Sequence, residues 1–156
     1  MAVQLRPYEP RDRATVTSLI GDVLTEHGFS LGMGGLERDL AEAHERYAAE
    51  GTGFWVAEID GEVVGTVAIR RKDGPTCELK RLYLRADQRG RGLGQALYAH
   101  AERFARDAGY ERIWLDSSRR FARAHELYAR NGFVLLERLE NDWEDNVYEK
   151  RLLVVS

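Results

Sequence analysis

The chain has 156 residues, 44% hydrophobic and 31% charged, with 23 Lys and Arg against 26 Asp and Glu for a net charge of −3. This is the balance of a soluble globular protein, and the length fits a single domain spanning residues 1–156; slight acidity argues against nucleic acid as a partner. A single cysteine, Cys77, excludes an internal disulfide, and no stretch approaches the ~20 apolar residues that cross a bilayer.

The N-terminus, Met1 to Pro7, carries no apolar run suited to a signal peptide, so a cytoplasmic location without a membrane partner is expected. Apolar spacing predicts a helix over 10–24, with Ala14, Val16, Leu19, Ile20, Val23 and Leu24 on its stripe. Residues 28–35 follow, four of the eight being glycine, and read as a mobile loop. A second helix is expected over 36–50, from Leu36 through Leu40, Ala43 and Tyr47.

The period then changes to two. Strands are predicted at 54–59 and 63–69, joined by Asp60-Gly61, a dipeptide that tolerates positive φ at both turn positions. A third strand runs from Thr76 to Arg85 after the Asp73-Gly74-Pro75 turn. Its alternation is broken: Cys77 and Leu79 share one parity, Leu82 and Leu84 the other. Either the strand is buried on both faces, or one extra residue near Lys80-Arg81 forms a β-bulge that returns both pairs to one face. A helix over 93–108, a strand at 113–115, a helix over 119–130 and strands at 133–136 and 147–155 complete the order. The expected class is α/β (α+β), with a mixed, mostly antiparallel sheet flanked by four helices.

The segment Arg89-Gly90-Arg91-Gly92-Leu93-Gly94 ends a strand and opens a helix. Helix N-termini expose unpaired N–H groups and the positive end of the peptide dipole, and glycines let an anion approach the backbone. The bland reading is a tight turn with solvated arginines. A P-loop is excluded because no Lys-Ser or Lys-Thr follows, and the spacing 90, 92, 94 does not fit the dinucleotide fingerprint.

This loop resembles the Arg-x-x-Gly-x-Gly loop of the GNAT superfamily of acetyl-CoA-dependent N-acyltransferases. Two further segments are similar to that family: Glu78 to Leu84 to its central bulged strand, and Ala124-His125-Glu126-Leu127-Tyr128 through Gly132-Phe133 to its Ala-x-x-Leu-Tyr-x-x-x-Gly-Phe motif. The resemblance implies a sheet whose bulged strand splays from the strand at 113–115. Acetyl-CoA would act as acyl-donor cosubstrate, its pantetheine arm along Leu82, Tyr83 and Leu84, its pyrophosphate on Arg89, Gly90, Arg91, Gly92, Leu93 and Gly94. Many relatives carry Asn where this chain has Phe121, which puts one side-chain contact to the cosubstrate in question.

Acetyl transfer to an amine needs removal of an ammonium proton, donors for the developing oxyanion and an acid for the thiolate. Tyr128 matches the family's acid; otherwise it is an aromatic on the buried helix face. The backbone N–H of Leu82 is the oxyanion candidate. Glu78, on the parity opposite to Cys77, is the candidate base, against a surface ion pair or a water relay. His27, His44, His100 and His125 lack metal-ligand spacing, so no metal is expected. His27 is a candidate to shape the acceptor pocket, Ser117 and Ser118 to contact ligand or cap the next helix. Trp143 would cover a cationic acceptor, meet a second copy in a homodimer, or simply pack. The expected reaction is direct transfer to a primary amine of a small molecule, with a peptide amine or a non-catalytic acyl-CoA sensor as rivals. The acidic loop 140–145 favours a cationic acceptor.

Overall fold

The computed structural model describes residues 2–30 and 36–152. Strand β1, Val3–Pro7, pairs antiparallel with β2, Gly53–Ile59, from Val3↔Ile59 to Pro7↔Trp55. Sequence periodicity misses β1, since it is a short, largely exposed edge strand ending in proline. Its anchor is ionic: Arg6 donates to both carboxylate oxygens of Asp12 at 2.8 Å and to Glu58 at 2.7 Å.

A 3₁₀ turn, Pro10–Asp12, leads into α1, Arg13–Glu26, where Val16, Leu19, Ile20, Val23 and Leu24 of the predicted stripe are buried and Ala14, in the first turn of the helix, is exposed. Of the expected mobile loop, residues 31–35 lie outside the described residues. The helix expected over 36–50 is instead two, α2 Leu36–Ala41 and α3 Ala43–Arg46. The helical path breaks at Glu42, whose φ of −105° and ψ of 7° leave the α region. Five α-helices, not four, therefore flank the sheet among the described residues.

Strand β3, Glu62–Asp73, follows β2 through Asp60 and Gly61, both at positive φ (51° and 83°) as their turn requires. Then come β4 (Thr76–Leu84), α4 (Leu93–Asp107), β5 (Arg112–Ser118), α5 (Ala122–Arg130), β6 (Val134–Arg138) and β7 (Asp145–Arg151). The seven strands lie in the order β1-β2-β3-β4-β5-β7-β6. Among the described residues only β4 and β5 pair in parallel, as the intervening α4 demands.

The sheet separates two cores. On one face Cys77, Leu79, Ile113 and Leu115 meet Leu97, Tyr98 and Ala101 of α4 and Leu127 and Tyr128 of α5. On the other, Phe54, Val56 and Ala68 meet the α1 stripe, Leu40 and Ala43. Each side chain's face follows from the two-residue period of its strand.

Strand β4 breaks that period as its sequence forecasts. Ala68 faces Lys80 and Thr66 faces Tyr83, so β3 advances two residues while β4 advances three. Arg81 takes positive φ (56°), and its carbonyl accepts a 2.6 Å bond from Thr66 Oγ1. Leu82 and Leu84 thereby rejoin Cys77 and Leu79 on the α4 face, while Tyr83 packs on the α1 face. Among the described residues no helix is long and apolar enough to cross a membrane.

Candidate active site

The bulge lies where β4 parts from β5. Their pairing comprises Thr76↔Arg112, Cys77↔Ile113 and Glu78↔Trp114, and β4 continues to Leu84 with no β5 partner. Opposite, Arg81 and Leu82 have no register partner in β3. A fork results, its apex at Glu78 and Trp114, with backbone polar groups along the β4 arm.

The glycine turn closes the open end. Gly90 and Gly92 both sit at φ 82°, a conformation that excludes ordinary side chains at low cost, and a Cβ on either would meet nothing within 4 Å. The glycines therefore serve conformation rather than close packing. Helix α4 begins at Leu93, and among the described residues the N–H groups of residues 90–95 donate to no backbone carbonyl; Ala96, bonded to Gly92 O at 3.0 Å, is the first that does. This leaves a row of donors at the positive end of a 15-residue helix.

The two arginines of the turn differ. Arg89 donates to Glu26 at 2.6 Å and to the Leu84 carbonyl at 3.1 and 3.3 Å, tying the turn to α1 and to the end of β4. Arg91 is exposed and makes one 3.4 Å bond to Gln88.

Tyr128 is buried on the α4 side of the fork, between the rings of Phe133 and Tyr148 at centroid distances of 5.5 and 5.9 Å. Burial pushes its phenol well above the ordinary value, with Tyr83 adding to the rise and the Ser117 hydroxyl opposing it. Tyr83, Ser117 and Tyr128 thus bring β4, β5 and α5 together beside the gap.

The opposite face holds the charges. Glu78 and Lys80, two residues apart on β4, are both half-buried there. Burial raises the Glu78 carboxyl, and nearby Asp116 adds to the rise while Lys80 opposes it. Burial lowers the Lys80 ammonium, and Glu78 works against that. Arg70 reaches Glu78 only at 4.0 Å. Arg81 is neutralised by the buried Asp39 of α2, at 2.9 and 3.0 Å. Sequence reasoning missed both Lys80 and the Asp39–Arg81 pair. Lys80 shares the parity of Glu78, a signal that was present; nothing local in the sequence joins residue 39 to residue 81.

Residues 23–133 match the model of the acetyltransferase (GNAT) family. The chain belongs to that family. It is 32% identical to the uncharacterized N-acetyltransferase YjgM of Escherichia coli (strain K12), over 83% of this chain and 80% of that protein. It is 39% identical to human N-acetyltransferase 8B over 63% of this chain, a match spanning 46% of that longer protein. Among solved structures, the Salmonella typhimurium putative acetyltransferase yncA with its cofactor acetyl-CoA superposes with a TM-score of 0.77 at 21% identity, over 97% of this chain and 94% of that one.

This GNAT protein is an acyltransferase with a mixed sheet of the family's kind. Its remaining candidates occupy structural places. Cys77 is fully buried, its thiol pushed up to about 12 by burial, and serves as a core residue. His27 caps α1 through a 2.8 Å contact from Nδ1 to the Val23 carbonyl and stands edge-on to Phe121. Ser118 Oγ accepts from Arg120 N at 3.2 Å in the turn before α5. Phe121 and Trp143 join Phe29 in a ring cluster, Trp143 lying 4.8 Å from Phe29. The acidic loop is largely engaged: Glu140 with Arg138 (3.3 Å), Glu144 with Arg120 (2.5 Å), and Asp145 with Asn141 (3.1 Å). Among the described residues no group of three His, Cys, Asp or Glu is placed to hold a metal ion.

Proposed function

We propose that this acyltransferase takes acetyl from acetyl-CoA and passes it directly to the primary amine of a small molecule. The observation that carries the reading is the abrupt end of β4–β5 pairing at Glu78↔Trp114, beside the unbonded N–H row of residues 90–95. The row suits a pyrophosphate, and the fork admits a narrow chain that hydrogen-bonds to Leu82, Tyr83 and Leu84 as an added strand would.

The two faces of the sheet then divide the work. The thioester enters with Tyr128 on the α4 side, and the amine approaches from the side of Glu78. Glu78, directly or through one water, accepts the ammonium proton; its desolvated carboxylate is a stronger base than an exposed one. The amine nitrogen forms a bond to the acetyl carbon while the Leu82 N–H steadies the carbonyl oxygen. The C–S bond breaks and Tyr128 gives its proton to the departing thiolate, regaining through solvent the second proton that the nitrogen sheds as the amide forms. Its elevated phenol pKa keeps that proton in place at neutral pH.

Calorimetric titration with acetyl-CoA, followed by thiol release across a panel of amines, tests the reading. Saturable binding and amine-dependent release are expected. Absence of acetyl-CoA binding, or binding without release for any small amine, overturns it.

A further inference from the structure

Glu78 and Lys80 project from the same face of β4 just inside the fork, about 7 Å apart along the strand. Both are half-buried, yet they form no ion pair with each other within 4 Å. Arg70 touches Glu78 only at the 4.0 Å limit, and Arg81 is committed to Asp39. Among the described residues Lys80 makes neither a hydrogen bond nor an ion pair. A half-buried ammonium with no hydrogen-bond partner is incompletely satisfied, steadied only by the longer-range pull of Glu78 and Asp39, and Glu78 has only distant cations, Arg70 and Lys80 among them. Two such groups of opposite sign, held apart by the pleat, suit a compact ligand with the reverse charges that fits between them.

We propose that the acceptor is an α-amino acid or a close analogue, its amine directed to Glu78 and its carboxylate to Lys80. This rests on the acetyl-transfer reading and narrows it. It departs from the cationic acceptor expected from the loop at 140–145, where Glu140 and Glu144 are paired with Arg138 and Arg120. The carboxylate fixes the amine: anchored at Lys80, the nitrogen two bonds beyond it falls between Glu78 and the unpaired Leu82 backbone. The partly exposed rings of Tyr83, Phe121 and Trp143 border the same face and leave the third substituent an apolar wall.

The test compares L-phenylalanine, L-leucine, L-methionine, L-glutamate and L-lysine, each beside the amine lacking its α-carboxylate, in the wild type, Lys80→Met and Lys80→Arg. At least one amino acid should exceed its decarboxylated partner in kcat/KM by about 10- to 100-fold, the worth of a charge-assisted hydrogen bond. Lys80→Met should erase that preference through KM, while Lys80→Arg keeps part of it. Decarboxylated amines used as well as every amino acid, or equal losses for both in Lys80→Met, overturn the inference and leave acetyl transfer standing. Amino-acid binding without acetyl-CoA, read by calorimetry, separates the other case. If acetyl-CoA does not bind, acetyl transfer fails, and the inference stands only if an amino acid still binds the wild type and not Lys80→Met.

Discussion

The guanidinium of Arg89 donates to the carboxylate of Glu26 at 2.6 Å, across 63 residues of sequence. The bond fastens the glycine turn to the last turn of α1, and it also sets a carboxylate against a charge that a phosphate would use. Glu26 is held below the usual carboxylate range mainly by this bond. Replacing Glu26 with Gln should therefore tighten coenzyme A binding by up to about fivefold, the scale of an exposed pair, with a steeper loss of affinity in added salt. Calorimetry at two ionic strengths reads the effect; weaker binding would mean that the tether is needed to shape the turn.

Gly92 caps α4 at φ 82° with open space around it. Alanine there strains the backbone by about 1–2 kcal/mol without any clash, and relaxation of that strain turns the N–H row away. Gly92→Ala is expected to lower coenzyme A affinity at least tenfold with only a small fall in Tm. Gly94 sits at ordinary contact distance from Leu127, 3.5 Å, inside the helix, so Gly94→Ala should be far milder.

Tyr128→Phe removes one oxygen from a buried aromatic cluster. If the phenol serves as acid, kcat should fall by about 10²- to 10⁴-fold with acetyl-CoA affinity retained. A purely structural tyrosine would show the reverse, a lower Tm and near-normal turnover. Glu78 supplies the complementary signal. Its raised pKa places the acidic limb of the kcat/KM profile above the ordinary carboxylate value of about 4.3, and Glu78→Gln should abolish that limb.

Arg6 and Asp12 join β1 to the start of α1 through two 2.8 Å bonds, and that pairing lowers the Asp12 carboxyl. A depressed folded-state pKa stabilises the protein above the unfolded value, about 3.9, and that stabilisation is lost as pH falls through the folded value. Asp12→Asn should cost about 3 kcal/mol at neutral pH, because it leaves Arg6 largely buried and short of a charge. The deficit should begin to shrink below about pH 4, where the unfolded carboxyl takes a proton, and go on shrinking until the folded carboxylate is protonated too. Urea melts at pH 7 and pH 3.5 read both quantities.

Much of the fold was legible because the period of apolar residues is local information. The parity break between Leu79 and Leu82 announced the bulge, and the glycines at 90 and 92 announced a turn that only positive φ can make. Strand β1 was not legible: its pairing with residues 55–59 and its ionic anchor lie far along the chain. The split of the second helix at Glu42 was hidden for the same reason, since Leu36, Leu40 and Ala43 keep helical spacing across the break. At the candidate site, strand parity singles out Glu78, whereas Tyr128 is singled out by the resemblance of residues 124–133 to the family motif and not by its helix position. Lys80 acquires its meaning only once the fork shows that β5 is absent beside it and Arg81 proves to be committed to Asp39.

The bulge at Arg81 makes β4 behave like a message whose reading frame changes midway. Upstream, odd-numbered side chains enter the oily layer under α4; downstream, even-numbered ones do. Substitutions near the change are local injuries, and deleting the extra residue, Arg81, would restore an unbroken alternation with Leu82 and Leu84 still under α4 and Tyr83 still opposite. A library of one-residue deletions scored separately for folding and for acetyl-CoA turnover should therefore show the Arg81 deletion tolerated in the first and lost in the second, because the freed backbone of the bulge goes with it.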